Sequence, residues 1–161
     1  MPNNRTGRTT LWMLGSLALA GTVHADVVPP LPAGAPGVMA TVSVSVQGVL
    51  SAQGTITALL FASEDGFPAK EAKALRRVSV PASVGAVALH FERVPAGSYA
   101  ITVYHDENGN GRMDKNWIGI PKEPVAVSNN AKGRMGPPKF KDAKFIIESE
   151  QKNLQISLIK I

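Results

Sequence analysis

Apolar and polar residues alternate strictly through Thr41-Val-Ser-Val-Ser-Val46. A two-residue period places Val42, Val44 and Val46 on one face of a strand that buries only that face. Gly48 and Gly54 bracket a turn, and Thr55 to Ala62 follows as a run apolar enough for a central strand. Ser63-Glu-Asp-Gly-Phe-Pro68 interrupts it with turn chemistry. Lys70 to Arg77 is short and basic on several sides and predicts one or two helical turns, with Val78 to Pro81 as a small extended piece. Val84 to Phe91 alternates again, and Val94-Pro-Ala-Gly-Ser-Tyr99 turns into a further strand, Tyr99-Ala-Ile-Thr-Val-Tyr104.

Beyond that strand, Lys115 to Pro138 is rich in Gly, Pro and Asn, has little periodicity, and predicts one long loop. Phe140 to Ala143 suits a single helical turn. Lys144 to Glu148 and Asn153 to Ile161 read as two last strands, the final one alternating imperfectly through Leu154, Ile156, Leu158 and Ile161. Short strands, turn signals between them and almost no helical period predict an all-β fold, an antiparallel β-sandwich of about seven strands.

The other end of the chain changes where that domain is expected to work. Arg5 and Arg8 precede an apolar run, Leu11 to Ala20, and Val23-His-Ala25 fits a small-residue cleavage site, so residues 1–25 read as a signal peptide. The apolar run is shorter than the roughly 20 residues of a membrane span, so no span is expected once the leader is gone. The expected address is the periplasm or the extracellular medium. Residues 26–39 form a Pro- and Gly-rich lead-in, leaving residues 40–161 as the domain. The chain has no cysteine, hence no disulfide to hold an exported fold. Its net charge of +5 drops to +3 without Arg5 and Arg8, and the acidic residues all remain. That balance is mild, and no aromatic-interleaved basic stripe accompanies it, so nucleic acid is not an expected partner.

The chemistry concentrates in His105-Asp-Glu-Asn-Gly-Asn-Gly-Arg-Met-Asp114, directly after the strand that ends at Tyr104. Asp106, Asn108, Asn110 and Asp114 carry oxygen ligands at short spacing, Gly111 permits a sharp turn, and the Arg112 carbonyl stands where a main-chain ligand is expected. A hard cation, Ca²⁺ above all, takes such a set. A solvated Asx-rich turn is the competing reading, because Asn and Asp bond their own main chain in loops. An EF-hand is excluded, since its twelfth position, normally a bidentate Glu, is Trp117 here. A shorter cage closed by Asp114 is the form left open, with a distant oxygen such as Glu123 or Asp142 as a further ligand it could add. With few carboxylates its expected affinity is submillimolar to millimolar.

These segments resemble the DUF2141 family of exported bacterial domains. The resemblance rests on Val94 to Ala100, His105 to Asp114, Gly119-Ile-Pro-Lys-Glu123, Ser128-Asn-Asn130 and Gly136 to Phe145, in that order. It implies an immunoglobulin- or transthyretin-like sandwich over residues 40–161 and implies no particular activity. Pro124-Val-Ala-Val127 departs from the Gly-Tyr-Gly-Phe that family members often carry.

Other constellations offer less. His90, Tyr99, Tyr104 and His105 could in principle hold a redox metal, but Tyr104 and His105 are strand neighbours and face opposite ways. No cysteine exists and no serine sits in a nucleophile elbow, so no catalytic residue is assigned. Trp117, Ile118 and Ile120 are expected to pack the long loop onto the sandwich, with a sugar-contacting Trp117 as the alternative. Ser128, Asn129 and Asn130 suit backbone satisfaction within the loop. The expected role is a non-enzymatic binding or accessory module whose partner is a glycan or protein of the envelope or medium. Two alternatives are a structural envelope protein and a small-molecule hydrolase of transthyretin-like type. The hydrolase would require a C-terminal Tyr-Arg-Gly-Ser, whereas this chain reads Leu154-Gln-Ile-Ser-Leu-Ile-Lys-Ile161.

Overall fold

A computed structural model of the protein describes residues 37–160. The leader read over residues 1–25, and the lead-in as far as residue 36, lie outside the described residues. Within them the chain forms β1 (Met39–Val49), β2 (Thr55–Phe61), β3 (Arg76–Pro81), β4 (Gly85–Pro95), β5 (Gly97–Asp106), β6 (Val125–Val127), a helical turn α1 (Phe140–Ala143), β7 (Phe145–Ile147) and β8 (Gln151–Ser157). These are eight strands among the described residues, one more than the periodicity predicts.

The strands make two sheets. One has the order β4-β1-β8; the other runs β3-β2-β5-β6, with β7 also paired to β5. The alternation of β1 does what its period demands: Val42, Val44 and Val46 are buried while Thr41, Ser43 and Ser45 are not. They meet Leu89 and Phe91 of β4 and, from the other sheet, Ile56, Ala58, Leu60, Ile101 and Val103 in one core. Leu59, Phe61 and Tyr104 point to the outer side of the second sheet, yet they too are buried. Met113, Phe67 and Phe140 cover them, with Phe67 edge-on to both Phe61 and Phe140 at centroid distances of 5.5 and 5.7 Å. Polypeptide outside the strands thus forms a third layer over β2 and β5. This explains why both strands are apolar on two faces.

Three expectations need correction. The sandwich is not wholly antiparallel: β1 pairs β8 in parallel, Val44 lying opposite Leu154. Lys70 to Arg77 holds only a 3₁₀ turn at Glu71–Lys73, because Arg76 and Arg77 already pair with β2 as the start of β3. Lys115 to Pro138 is not one irregular loop. Val125–Val127 pair with Thr102–Tyr104 of β5, and a 3₁₀ turn follows at Ser128–Asn130.

Candidate functional site

The acidic loop leaves the sheet at the end of β5, a strand buried along nearly its whole length. Two contacts fix its starting point. His105 is buried, and its Nε2 lies 2.7 Å from the Gln53 carbonyl; a carbonyl only accepts, so Nε2 carries the proton. Gly54 has φ +71° and packs so closely that a Cβ there would stand 1.8 Å from the Asp106 carbonyl oxygen. Only glycine admits that approach.

From Asp106 onward the loop is held by its own side chains. Asp106 is buried, and its carboxylate accepts from the Asn110 and Gly111 amides at 3.1 and 2.7 Å. Asn108 Oδ1 accepts from the Asn110 amide at 3.0 Å, and Asn110 Oδ1 accepts from the Arg112 amide at 3.0 Å. The two asparagine Nδ2 groups turn toward Asp114, which accepts from Asn108 at 2.7 Å and from Asn110 at 2.9 Å. These donors, Asn110 first, hold the Asp114 carboxyl below its ordinary value. Arg112 is exposed, its Nε 3.8 Å from Asp114. From β3, Arg77 Nη2 donates to the Gly111 carbonyl at 2.8 Å.

Glu123 closes the ring. The Asp114 amide donates to its Oε2 at 3.1 Å. The side chain is buried, and Oε1 is a buried polar atom with no hydrogen-bond partner among the described residues. Burial foremost, and then the charges of Asp106 and Asp114, push the Glu123 carboxyl above its ordinary value, against the opposing pull of the Asp114 and Glu107 amides. An acidic group kept out of water beside two other carboxylates, with one oxygen unsatisfied, is costly unless something positive meets it. Asp142 lies on α1 and takes no part in these bonds; its carbonyl accepts from Asn129. As the side chains stand, no three His, Cys, Asp or Glu residues are gathered tightly enough to hold a metal ion among the described residues.

The remaining candidates separate. His90 is exposed on β4, bonded to Ser43, in the opposite sheet from His105. Tyr104 donates to Glu71 Oε1 at 2.9 Å, and the Met113 amide donates to the same oxygen at 3.2 Å. Nothing in the sequence marks Glu71 apart from other acids of a short polar turn. It pins the far end of the loop to the outer face of the sheet. Ser128 Oγ accepts from the Ile101 amide at 2.9 Å and donates to the Ala143 carbonyl at 2.6 Å. Asn129 donates to Lys144, and Asn130 accepts from the Ser157 amide. All three satisfy backbone, as their types suggest. Trp117, Ile118 and Ile120 do not pack the loop down. They are 95%, 56% and 39% exposed, and the buried Met113 does that work. They stand instead on a small excursion closed by pairing of Lys115 with Pro121 and by the Lys122 amide on the Asp114 carbonyl.

A two-sheet β-sandwich with an acidic, self-bonded loop at the end of a central strand is the class these features define. The model of the DUF2141 family, described as an uncharacterized protein conserved in bacteria, matches residues 44–155, and the chain belongs to that family. No curated protein and no solved structure matches the chain. Among the described residues, no helix is long and apolar enough to cross a membrane.

Proposed function

We propose that the protein is an exported, non-enzymatic binding module whose 106–114 loop is organised by Ca²⁺. The unpartnered, buried Oε1 of Glu123 is the observation that carries the cation reading. The residues that would hold the ion are Asp106, Asn108, Asn110 and Asp114 through side-chain oxygens, Arg112 through its carbonyl, and Glu123. The asparagine Nδ2 donors now on Asp114 would give way to the cation, so binding requires the loop to readjust. The ion supplies charge neutralisation and rigidity. An oxygen-only set of amides, carbonyls and carboxylates in a pliable loop favours it over the smaller, stiffer Mg²⁺.

Thermal unfolding with Ca²⁺ or with chelator tests this. A ligand confined to the native state adds RT ln(1 + [L]/Kd), so a site of about 0.1 mM contributes about 2.7 kcal/mol at about 10 mM Ca²⁺. The expected result is a rise in Tm of several degrees that Asp106→Ala or Asp114→Asn abolishes, that Asn129→Ala retains, and that Mg²⁺ barely reproduces. Coincident melting curves would leave an Asx-bonded turn and no metal. Export rests on the leader pattern of residues 1–25 and is tested by mass spectrometry of the secreted product. Asp26 is the expected first residue, and a product still carrying Met1 overturns it.

A further inference from the structure

Next to the acidic loop, the outer side of the second sheet leaves a cleft of about 600 Å³. Val125 and Val127 of β6, Ala131, Ile159, Ile118 and Ile120 give it an apolar lining. That volume lies within the range of small-molecule sites, and few polar groups enter it. Thr102 is at its floor, with its hydroxyl already donating to the Pro68 carbonyl at 2.9 Å. The charged side chains of the lining are Lys115 and Lys132; no acid belongs to it. Lys115 Nζ donates to the Ala69 carbonyl at 3.3 Å. Lys132 has neither an ion pair nor a side-chain hydrogen bond among the described residues, and a basic run that includes Arg134, Lys139 and Lys141 continues past it.

An apolar recess with a free ammonium at its wall and no carboxylate has the complement of one kind of molecule. We propose that the cleft binds a small amphipathic anion, an alkyl or aryl body carrying one carboxylate, sulfonate or phosphate head. The body replaces water along Val125, Val127 and Ile159, and the head meets Lys132. Ile118 and Ile120 gain a role that packing denies them: too exposed to hold the loop, they form a wall for a guest. This rests on the binding-module reading but not on the cation, since every group it uses lies outside the carboxylate cluster.

Isothermal titration of the whole chain with dodecanoate, kept below its micellar concentration, tests it, with methyl dodecanoate as the uncharged comparison. The expected result is saturable binding of one equivalent in the presence of chelator. Lys132→Gln should weaken dodecanoate by about two- to fivefold, the range of an exposed ion pair, and leave the ester unchanged. Ile118→Asp should weaken both ligands, and Leu50→Asp, exposed in the β1–β2 turn, neither. Absence of saturable binding, equal loss of acid and ester in Lys132→Gln, or unchanged binding in Ile118→Asp overturns the proposal. A Ca²⁺-dependent Tm with no dodecanoate binding would remove the ligand and spare the metal; the reverse result would do the opposite.

Discussion

The amide of Asp114 donates to one oxygen of Glu123 at 3.1 Å, and the other oxygen of the same buried carboxylate has no hydrogen-bond partner among the described residues. In the metal-free protein Glu123 therefore carries a burial cost that a neutral isostere avoids. Glu123→Gln should leave the metal-free protein as stable or raise its stability by about 1 kcal/mol, while abolishing the Ca²⁺ response. Paired melts with chelator and with Ca²⁺ check both halves. A variant much less stable without metal would mean that Oε1 has a partner after all.

Gly54→Ala should act at a distance from any side chain of the loop. Its Cβ would collide with the Asp106 carbonyl, and φ +71° is strained for alanine. The expected cost is more than about 1 kcal/mol in denaturant unfolding. The Ca²⁺ response should weaken as well, because the first ligand residue is pushed out.

Ser128→Ala leaves a different kind of gap. The Ile101 amide lies where neither β6 nor β7 pairs with β5, and Ser128 Oγ supplies its acceptor. Losing that oxygen orphans a buried N–H, at a cost of about 1–3 kcal/mol. Chemical denaturation measures it, and hydrogen exchange at Ile101 should accelerate more than at Val103.

The chain's two tyrosines, Tyr99 and Tyr104, both titrate above the ordinary phenol value, chiefly because they are buried; the Glu71 carboxylate adds to the effect at Tyr104. The folded state thus keeps protons that the unfolded state releases near pH 10. Their contribution is complete below that pH and is lost as pH rises through the folded values, so stability falls on the alkaline side. Absorbance at about 295 nm should show no tyrosinate at the unperturbed phenol midpoint, then a rise coincident with unfolding. A titration centred at the ordinary value with the fold intact would contradict this.

Much of the architecture is legible where one face alone is buried. Val42, Val44 and Val46 announce β1 because Ser43 and Ser45 stay outside. Elements fail to show when other forces override the period. β3 is legible from Val78 to Pro81, but its first residues, Arg76 and Arg77, are masked by their charge although sheet pairing recruits them. β6 is three residues inside a Gly- and Pro-rich stretch, held by β5 on one side and by the backbone of Ile159 on the other. Asp106, Asn108, Asn110 and Asp114 are visible by spacing, whereas Glu123 is one of two distant acids the sequence offers, and only the fold sets it rather than Asp142 beside the loop. The coverage of Tyr104 by Glu71 and Met113 is not, since it joins segments far apart in the chain.

The outer edge of β5 is assembled from two pieces, β7 on residues 97–99 and β6 on residues 102–104. Asn129 and Asn130, with φ of 59° and 48°, turn the chain away from the sheet just after β6. Such a border presents no long row of free amides and carbonyls for a second molecule to extend, which is how natural sheets avoid edge-to-edge aggregation. An engineer who lengthened β6 through Ser128 and Asn129 into one continuous border strand would gain ladder bonds and give up that protection, and the chain would be expected to self-associate at high concentration.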